Sequence, residues 1–214
     1  MPPLSKVLRL ADARQDAPRP AGEDAIELAR ALRVGEAWAE RALLEQQTAH
    51  VERILTRILG GRGDLDDLVQ EVFVRAFERV EELREPRALR GWLTAIAVFV
   101  AREAIRAGKR RRWLVFLPPE ETPELVNATA SPEIRAAVRA FYEVVGGLEA
   151  DARIAFTLRF VEGMELAEVA GACGVSLATI KRRLKSAEAE FAERGRAHEA
   201  LAGWFEEGTR WQRS

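Results

Sequence analysis

Between Leu114 and Ile134 the chain carries no Lys or Arg, while it holds Glu120, Glu121, Glu124 and Glu133 together with Pro118, Pro119, Pro123 and Pro132. Proline removes a backbone donor and clashes with the preceding turn, so no helix runs through such a stretch, and like charges keep it extended. It therefore reads as a flexible acidic linker that forces the chain to fold as two halves. On either side, apolar residues recur at helical spacing. With 48% apolar and 31% charged residues, rich in Ala, Leu, Glu and Arg, both halves are expected to be all-α: two small helical domains, a four-helix bundle and a helix-turn-helix unit. The expected divisions are 1–22 as a mobile N-terminal segment, 23–113 and 133–194 as domains, 114–132 as the linker, and 195–214 as a tail of unassigned role.

In the first half, helices are expected near 24–33 and 36–59, the latter from the recurrence of Trp38, Leu44, Val51, Leu55 and Ile58, with Gly60, Gly61 and Gly63 ending it. The next segment, DLDDLVQEVFVRAFERV, sets Leu65, Leu68, Val69, Val72, Phe73, Phe77 and Val80 on one stripe. Asp66, Asp67, Gln70, Glu71, Arg75 and Glu78 take the other sides, and Asp64 or Asp66 can cap its start. A fourth helix over 88–108 is apolar at Leu89, Trp92, Leu93, Ile96, Phe99, Val100 and Ala104, then turns basic in REAIRAGKRRRW, where Gly108 is expected to loosen it.

Helices are expected again near 133–147, 149–162, 165–173 and 176–192. The last two frame the stretch CGVSLATIKRRLK, residues 173–185. Gly174 supplies a positive φ for a tight turn, Ser176 caps the following helix, and Leu177, Ile180 and Leu184 are expected to face inward. Thr179, Lys181, Arg182, Arg183, Lys185 and Ser186 then fall on or near the outer faces, where small residues permit close approach to base edges and cations reach guanine or phosphate. Two irregularities stand in the preceding helix: Gly171 in its interior, and Glu165 where Ser or Thr would cap better.

Other chemistries find little footing. The net charge is −1, from 33 Lys and Arg against 34 Asp and Glu, so a nucleic-acid site requires local segregation of charge. A single cysteine, Cys173, excludes an internal disulfide or a CxxC knuckle and reads as a small buried apolar residue. His50 and His198 lie in unrelated contexts. Asp66, Asp67 and Glu71 are ordinary dipole partners in a first helical turn rather than metal ligands. No catalytic residue, metal site or cofactor is expected. The N-terminus lacks the apolar core of a signal peptide, and the longest apolar run, Trp92 to Ala101, falls far short of a membrane span. A soluble cytoplasmic protein without membrane insertion is expected.

Taken together, DLDDLVQEVFVRAFERV followed by RGWLTAIAVFVAREAIRAGKRRR, and then LRFVEGMELAEVAGACGVSLATIKRRLKSAEAEF, resemble the extracytoplasmic-function (ECF) group of bacterial sigma factors in the sigma-70 family. The first pair of segments is similar to the family's domain 2 and the last to its domain 4 helix-turn-helix. The resemblance implies a non-enzymatic protein that binds core RNA polymerase and directs promoter recognition, DNA melting and transcription initiation. It implies that Asp67, Gln70, Glu71 and Arg75 meet core polymerase, and that the loop from Glu81 to Leu89, with Arg84 and Arg87, captures a flipped base of the minus-10 element. Arg102, Arg106, Lys109, Arg110 and Arg111 are implied to neutralise phosphates there. Ser176, Thr179, Lys181, Arg182, Arg183 and Lys185 are implied at the minus-35 element, and an anti-sigma factor is a usual partner in the group. The chain departs from the family pattern at AVFVARE, where the family places an Asn, and at Ser186, where a basic residue is common. The alternative is a stand-alone helix-turn-helix regulator whose first domain dimerises or senses a ligand. A nucleic-acid enzyme would need an acidic metal cluster for which only Asp66, Asp67 and Glu71 offer a start.

Overall fold

The computed structural model describes residues 22–60, 65–111 and 131–201. Eight α-helices and no strand occur among the described residues: α1 Gly22–Arg33, α2 Ala37–Leu59, α3 Leu65–Glu78, α4 Leu89–Arg111, α5 Pro132–Gly147, α6 Ala150–Phe156, α7 Leu166–Cys173 and α8 Leu177–Arg196. The expected N-terminal segment and linker, the glycines Gly61 and Gly63, Asp64, and the tail residues Trp204 and Trp211 lie outside the described residues, apart from Gly22, which begins α1, the linker's last two positions and the start of the tail.

Local chemistry fixes most helix ends. Gly60 closes α2 at φ 68°, its N–H donating to Thr56 O. Because α3 begins at Leu65, Asp66 and Asp67 stand inside its first turn, where they favour the positive end of the helix dipole. Two short 3-10 turns, Val80–Glu82 and Pro86–Ala88, carry the chain from α3 to α4. Gly108 does not end α4, which continues to Arg111. Ser131 caps α5, its hydroxyl accepting from Ile134 N at 3.4 Å, with Pro132 in the first turn. The helix expected over 149–162 is divided: α6 gives way to a π-helical turn, Thr157–Val161, in which Glu162 N reaches Thr157 O at 3.0 Å.

Helices α1 to α4 bury a core of Leu28, Leu43, Val51, Ile54, Leu55, Ile58, Val72, Phe73 and Leu93. Two residues expected in the α2 stripe, Trp38 and Leu44, are instead 47% and 38% exposed. The buried side of α2 runs through Ala39, Leu43, Gln47, His50 and Ile54, one step around the helix, which brings polar Gln47 and His50 inside. In the second half, Phe141, Phe156 and Phe191 cluster with ring centroids 5.0–6.3 Å apart and close α5, α6 and α8 around one another.

The two halves meet. Ala150, Ile154, Ala155 and Leu158 from α6 and its π turn, and Val169, Ala170, Ala172 and Cys173 from α7, belong to the same apolar cluster as the first four helices. Polar contacts line this seam. Arg153 Nε donates to Ile58 O at 2.6 Å, Arg57 Nη1 to Val161 O at 3.4 Å, and Glu162 pairs with both Arg57 and Arg53, the latter at 3.3 Å.

Candidate nucleic-acid interface

The second-half helix pair has the geometry expected of a DNA reader. Gly174 turns the chain at φ 67° after α7, and the Ser176 hydroxyl accepts from Thr179 N at 3.2 Å to start α8. At the head of α7, Glu165 is better suited than its type suggests, because the Glu168 carboxylate accepts from Glu165 N at 2.8 Å. The core side of α8 is Ile180, Leu184, Ala187 and Phe191. Leu177 is not part of it: at the first turn, beyond the reach of the core, it is 43% exposed. Ser176, Lys181, Arg182, Lys185 and Ser186 are exposed and Thr179 half-buried, so a continuous polar and cationic strip runs along the outer face of α8.

Arg183 stands apart from that strip. Its Nη2 is 2.8 Å from Asp151 Oδ2, while Arg102 Nε of α4 is 2.8 Å from Asp151 Oδ1 and Arg102 Nη2 lies 3.4 Å from Cys173 O. One carboxylate thus holds a cation from each half. Arg183 Nη1 is buried and lacks an acceptor. Arg106, one turn further along α4, is exposed, and Lys109, Arg110 and Arg111 continue the same helix, their side chains lying outside the described residues.

Also in the first half, Asp67 and Gln70 are exposed on α3. Glu71 pairs with Arg75, which also meets Glu103 of α4 at 2.8 Å and lies 4.8 Å over the Phe99 ring. That contact accounts for Phe99, expected in the core stripe but 39% exposed; Val74 on α3 is 43% exposed as well. Arg84 and Arg87 are exposed in the connection between α3 and α4, whose bend is fixed by Glu85 accepting from Arg87 N at 3.3 Å. The sequence-predicted residues therefore fall in three places: the α3 face, the loop with the α4 cations, and α8.

Missed by sequence reasoning are Asp151 and Glu162. Neither stands in a recognisable motif, and their partners lie 32 to 109 residues away. Cys173 is buried as expected, and burial pushes its thiol up from its ordinary pKa. Among the described residues no group of three or more metal-ligating side chains comes together, and no helix is long and apolar enough to cross a membrane.

Residues 43–111 match the family model for Sigma-70 region 2, and residues 139–190 match that for Sigma-70, region 4. The chain is 28% identical over 170 residues to the ECF RNA polymerase sigma-E factor of Haemophilus influenzae, across 70% of this chain and 84% of that protein. It is 29% identical over 153 residues to the ECF RNA polymerase sigma factor SigE of Mycolicibacterium smegmatis, across 69% of this chain and 57% of that protein. Among solved structures, CnrH in complex with the cytosolic domain of CnrY is similar in fold at a TM-score of 0.54 and 22% identity, covering 79% of this chain and 95% of that one. RpoE of Bartonella quintana, solved with the anti-sigma factor NepR, gives a TM-score of 0.53 at 21% identity, covering 72% of this chain and 94% of that one.

Proposed function

The chain belongs to the ECF group of sigma-70 family RNA polymerase sigma factors, and from that premise we propose how its surfaces divide the work of initiation. As a sigma factor it binds core RNA polymerase and promoter DNA and acts in transcription initiation. The α3 face, with Asp67, Gln70, Glu71 and Arg75, is the surface offered to core polymerase. Arg84 and Arg87 in the α3–α4 loop serve the minus-10 element, where an unstacked base can be read edge-on. Arg102, Arg106, Lys109, Arg110 and Arg111 neutralise the neighbouring phosphates. Ser176, Thr179, Lys181, Arg182, Arg183 and Lys185 serve the minus-35 element, α8 lying in the major groove.

The observation that carries this division is the two-sided character of α8: Ile180 and Leu184 fill the core, while Lys181, Arg182 and Lys185 stand free of it on a helix capped at the end that would enter the groove. Bond making belongs to the polymerase, and this chain supplies recognition and no catalytic group. A cytoplasmic location follows from that partnership. An anti-sigma factor is a further partner in this reading, since a solved relative of like fold was obtained with one.

Run-off transcription with purified core polymerase and host genomic templates tests the reading. New start sites are expected only when the chain is added; an unchanged transcript pattern overturns it.

A further inference from the structure

The outer strip of α8 changes chemistry along its length. Leu177 and Ala178 are exposed at its start, and the exposed cations Lys181, Arg182 and Lys185 follow over the next two turns. Beyond them the helix turns acidic, with Glu188, Glu190 and Glu193. A phosphate backbone draws the cationic stretch and repels the acidic one, so α8 meets a duplex by its N-terminal end. The positive end of the helix dipole adds to that preference. What this end presents is apolar. The Ser176 hydroxyl accepts from Thr179 N at 3.2 Å and lies 3.0 Å from Thr179 Oγ1, so both hydroxyls are engaged in starting the helix. Leu177, 43% exposed, is the largest side chain of the tip and has neither donor nor acceptor to offer.

The major-groove edges of the base pairs carry a single apolar group, the C5-methyl of thymine; the other distinguishing groups there are hydrogen-bond donors and acceptors. A leucine among those edges therefore favours one base. We propose that Leu177 is a specificity-determining residue for the upstream promoter element, packing its side chain against a thymine methyl, with Ala178 small enough to let the helix tip come close. This rests on the placement of α8 in the major groove proposed above. A cytosine in the same place sets its N4 amino group against Leu177 and loses a hydrogen bond to water without replacement, so the contact also penalises the wrong base. The selected thymine lies at the edge of the element that the helix tip enters, about one helical turn, ~5.4 Å, from the bases within reach of Lys181.

Replacing thymine by uracil removes this methyl and leaves base pairing and every hydrogen-bonding edge in place. Holoenzyme reconstituted from core polymerase and the full chain is bound to a promoter located by the run-off assay, with each thymine of the upstream element changed to uracil in turn. At one position uracil should weaken the complex roughly fourfold, the worth of one methyl group withdrawn from water. With Leu177→Ala, binding to the unmodified promoter should fall by a similar factor and the same position should become insensitive to uracil. Leu177→Met keeps an apolar side chain of like volume and should keep the sensitivity. Because Leu177 is exposed, thermal melts of both variants should match the wild type's.

A flat uracil scan on the wild-type chain overturns the assignment, as does an upstream element without thymine or a scan that is identical in wild type and Leu177→Ala. Weaker assembly of Leu177→Ala with core polymerase in the absence of DNA overturns it too, because protein rather than thymine then covers the side chain. Lys181→Ala with Arg182→Ala, measured in the same assay, separates this contact from the reading beneath it. Reduced binding by that variant together with a flat uracil scan removes the leucine contact alone. Unchanged binding removes α8 from the groove, and the assignment of Leu177 with it.

Discussion

His50 lies between α2 and α4 with Nε2 2.8 Å from Thr94 Oγ1, and its Nδ1 is 3.1 Å from Arg53 Nη2. A guanidinium can only donate, so Nδ1 is the acceptor and Nε2 carries the proton; Thr94 in turn donates to Arg90 O at 2.8 Å. The imidazole is held neutral, its pKa lowered to about 4 by burial and by the nearby charge of Arg90. The unfolded chain takes up this proton near the ordinary value of 6.5, whereas the folded chain resists until about pH 4. Stability is therefore full above the unfolded value and falls as pH drops from 6.5 towards 4. Urea unfolding at pH 7.5 and pH 5 should show a loss of about 1–2 kcal/mol that is absent in His50→Gln; an equal loss in both proteins would place the titration elsewhere. Nothing near His50 in the sequence signals this, since Thr94 is 44 residues away.

Helix α7 and the turn that follows it offer a paired test at the scale of an element. Gly171 is inside α7 with nothing within 4 Å of an added Cβ, while Gly174 is equally uncrowded but sits at φ +67°. Gly171→Ala should stabilise by about 0.5–1 kcal/mol, because alanine loses less backbone freedom in a helix. Gly174→Ala should destabilise by about 1 kcal/mol through conformation alone. Thermal melts of the two variants should shift in opposite directions, and a shared direction would contradict the turn geometry. On α8, Lys181→Ala with Arg182→Ala removes two exposed cations from the outer strip. The expected result is weaker protection of the upstream promoter element and a shallower salt dependence, with the fold intact; a footprint like the wild type's would remove these residues from the DNA contact. Both the turn and the cap were legible in CGVSLATIKRRLK, because a left-handed residue and a Ser hydroxyl act within three residues of where they stand. The outward turn of Leu177 was not, since periodicity cannot say where the core beneath a helix ends.

Across the whole molecule, Gln70→Lys together with the charge reversal Glu71→Lys tests the polymerase face. Gln70 is exposed, and the pair of Glu71 with Arg75 is only partly shielded, so reversal should cost the fold no more than about 1 kcal/mol. Holoenzyme assembly, followed by co-elution with core polymerase, should weaken at least tenfold, the equivalent of about 1.4 kcal/mol. Undiminished assembly would exclude α3 as the docking face. The all-α class, the helices and the order of the two domains could be read from the sequence, because helix formation depends on residues three and four apart and on caps and breakers a few positions away. The same locality exposed the outer cations of α8 and the polar face of α3. The sequence also suggested two helical domains joined by a linker; the tertiary structure keeps the two and adds a packed seam between them that the sequence did not show. Ile154, Leu158, Val169 and Cys173 bury themselves against the first four helices, Asp151 holds Arg102 and Arg183, which the sequence placed on outward surfaces, and Glu162 holds Arg53 and Arg57. Pairings between residues 32 to 109 positions apart leave no local signature. Which cations face solvent and which are already held is set by the packing of the two halves, and only the folded chain brings those partners within 3 Å or so of each other.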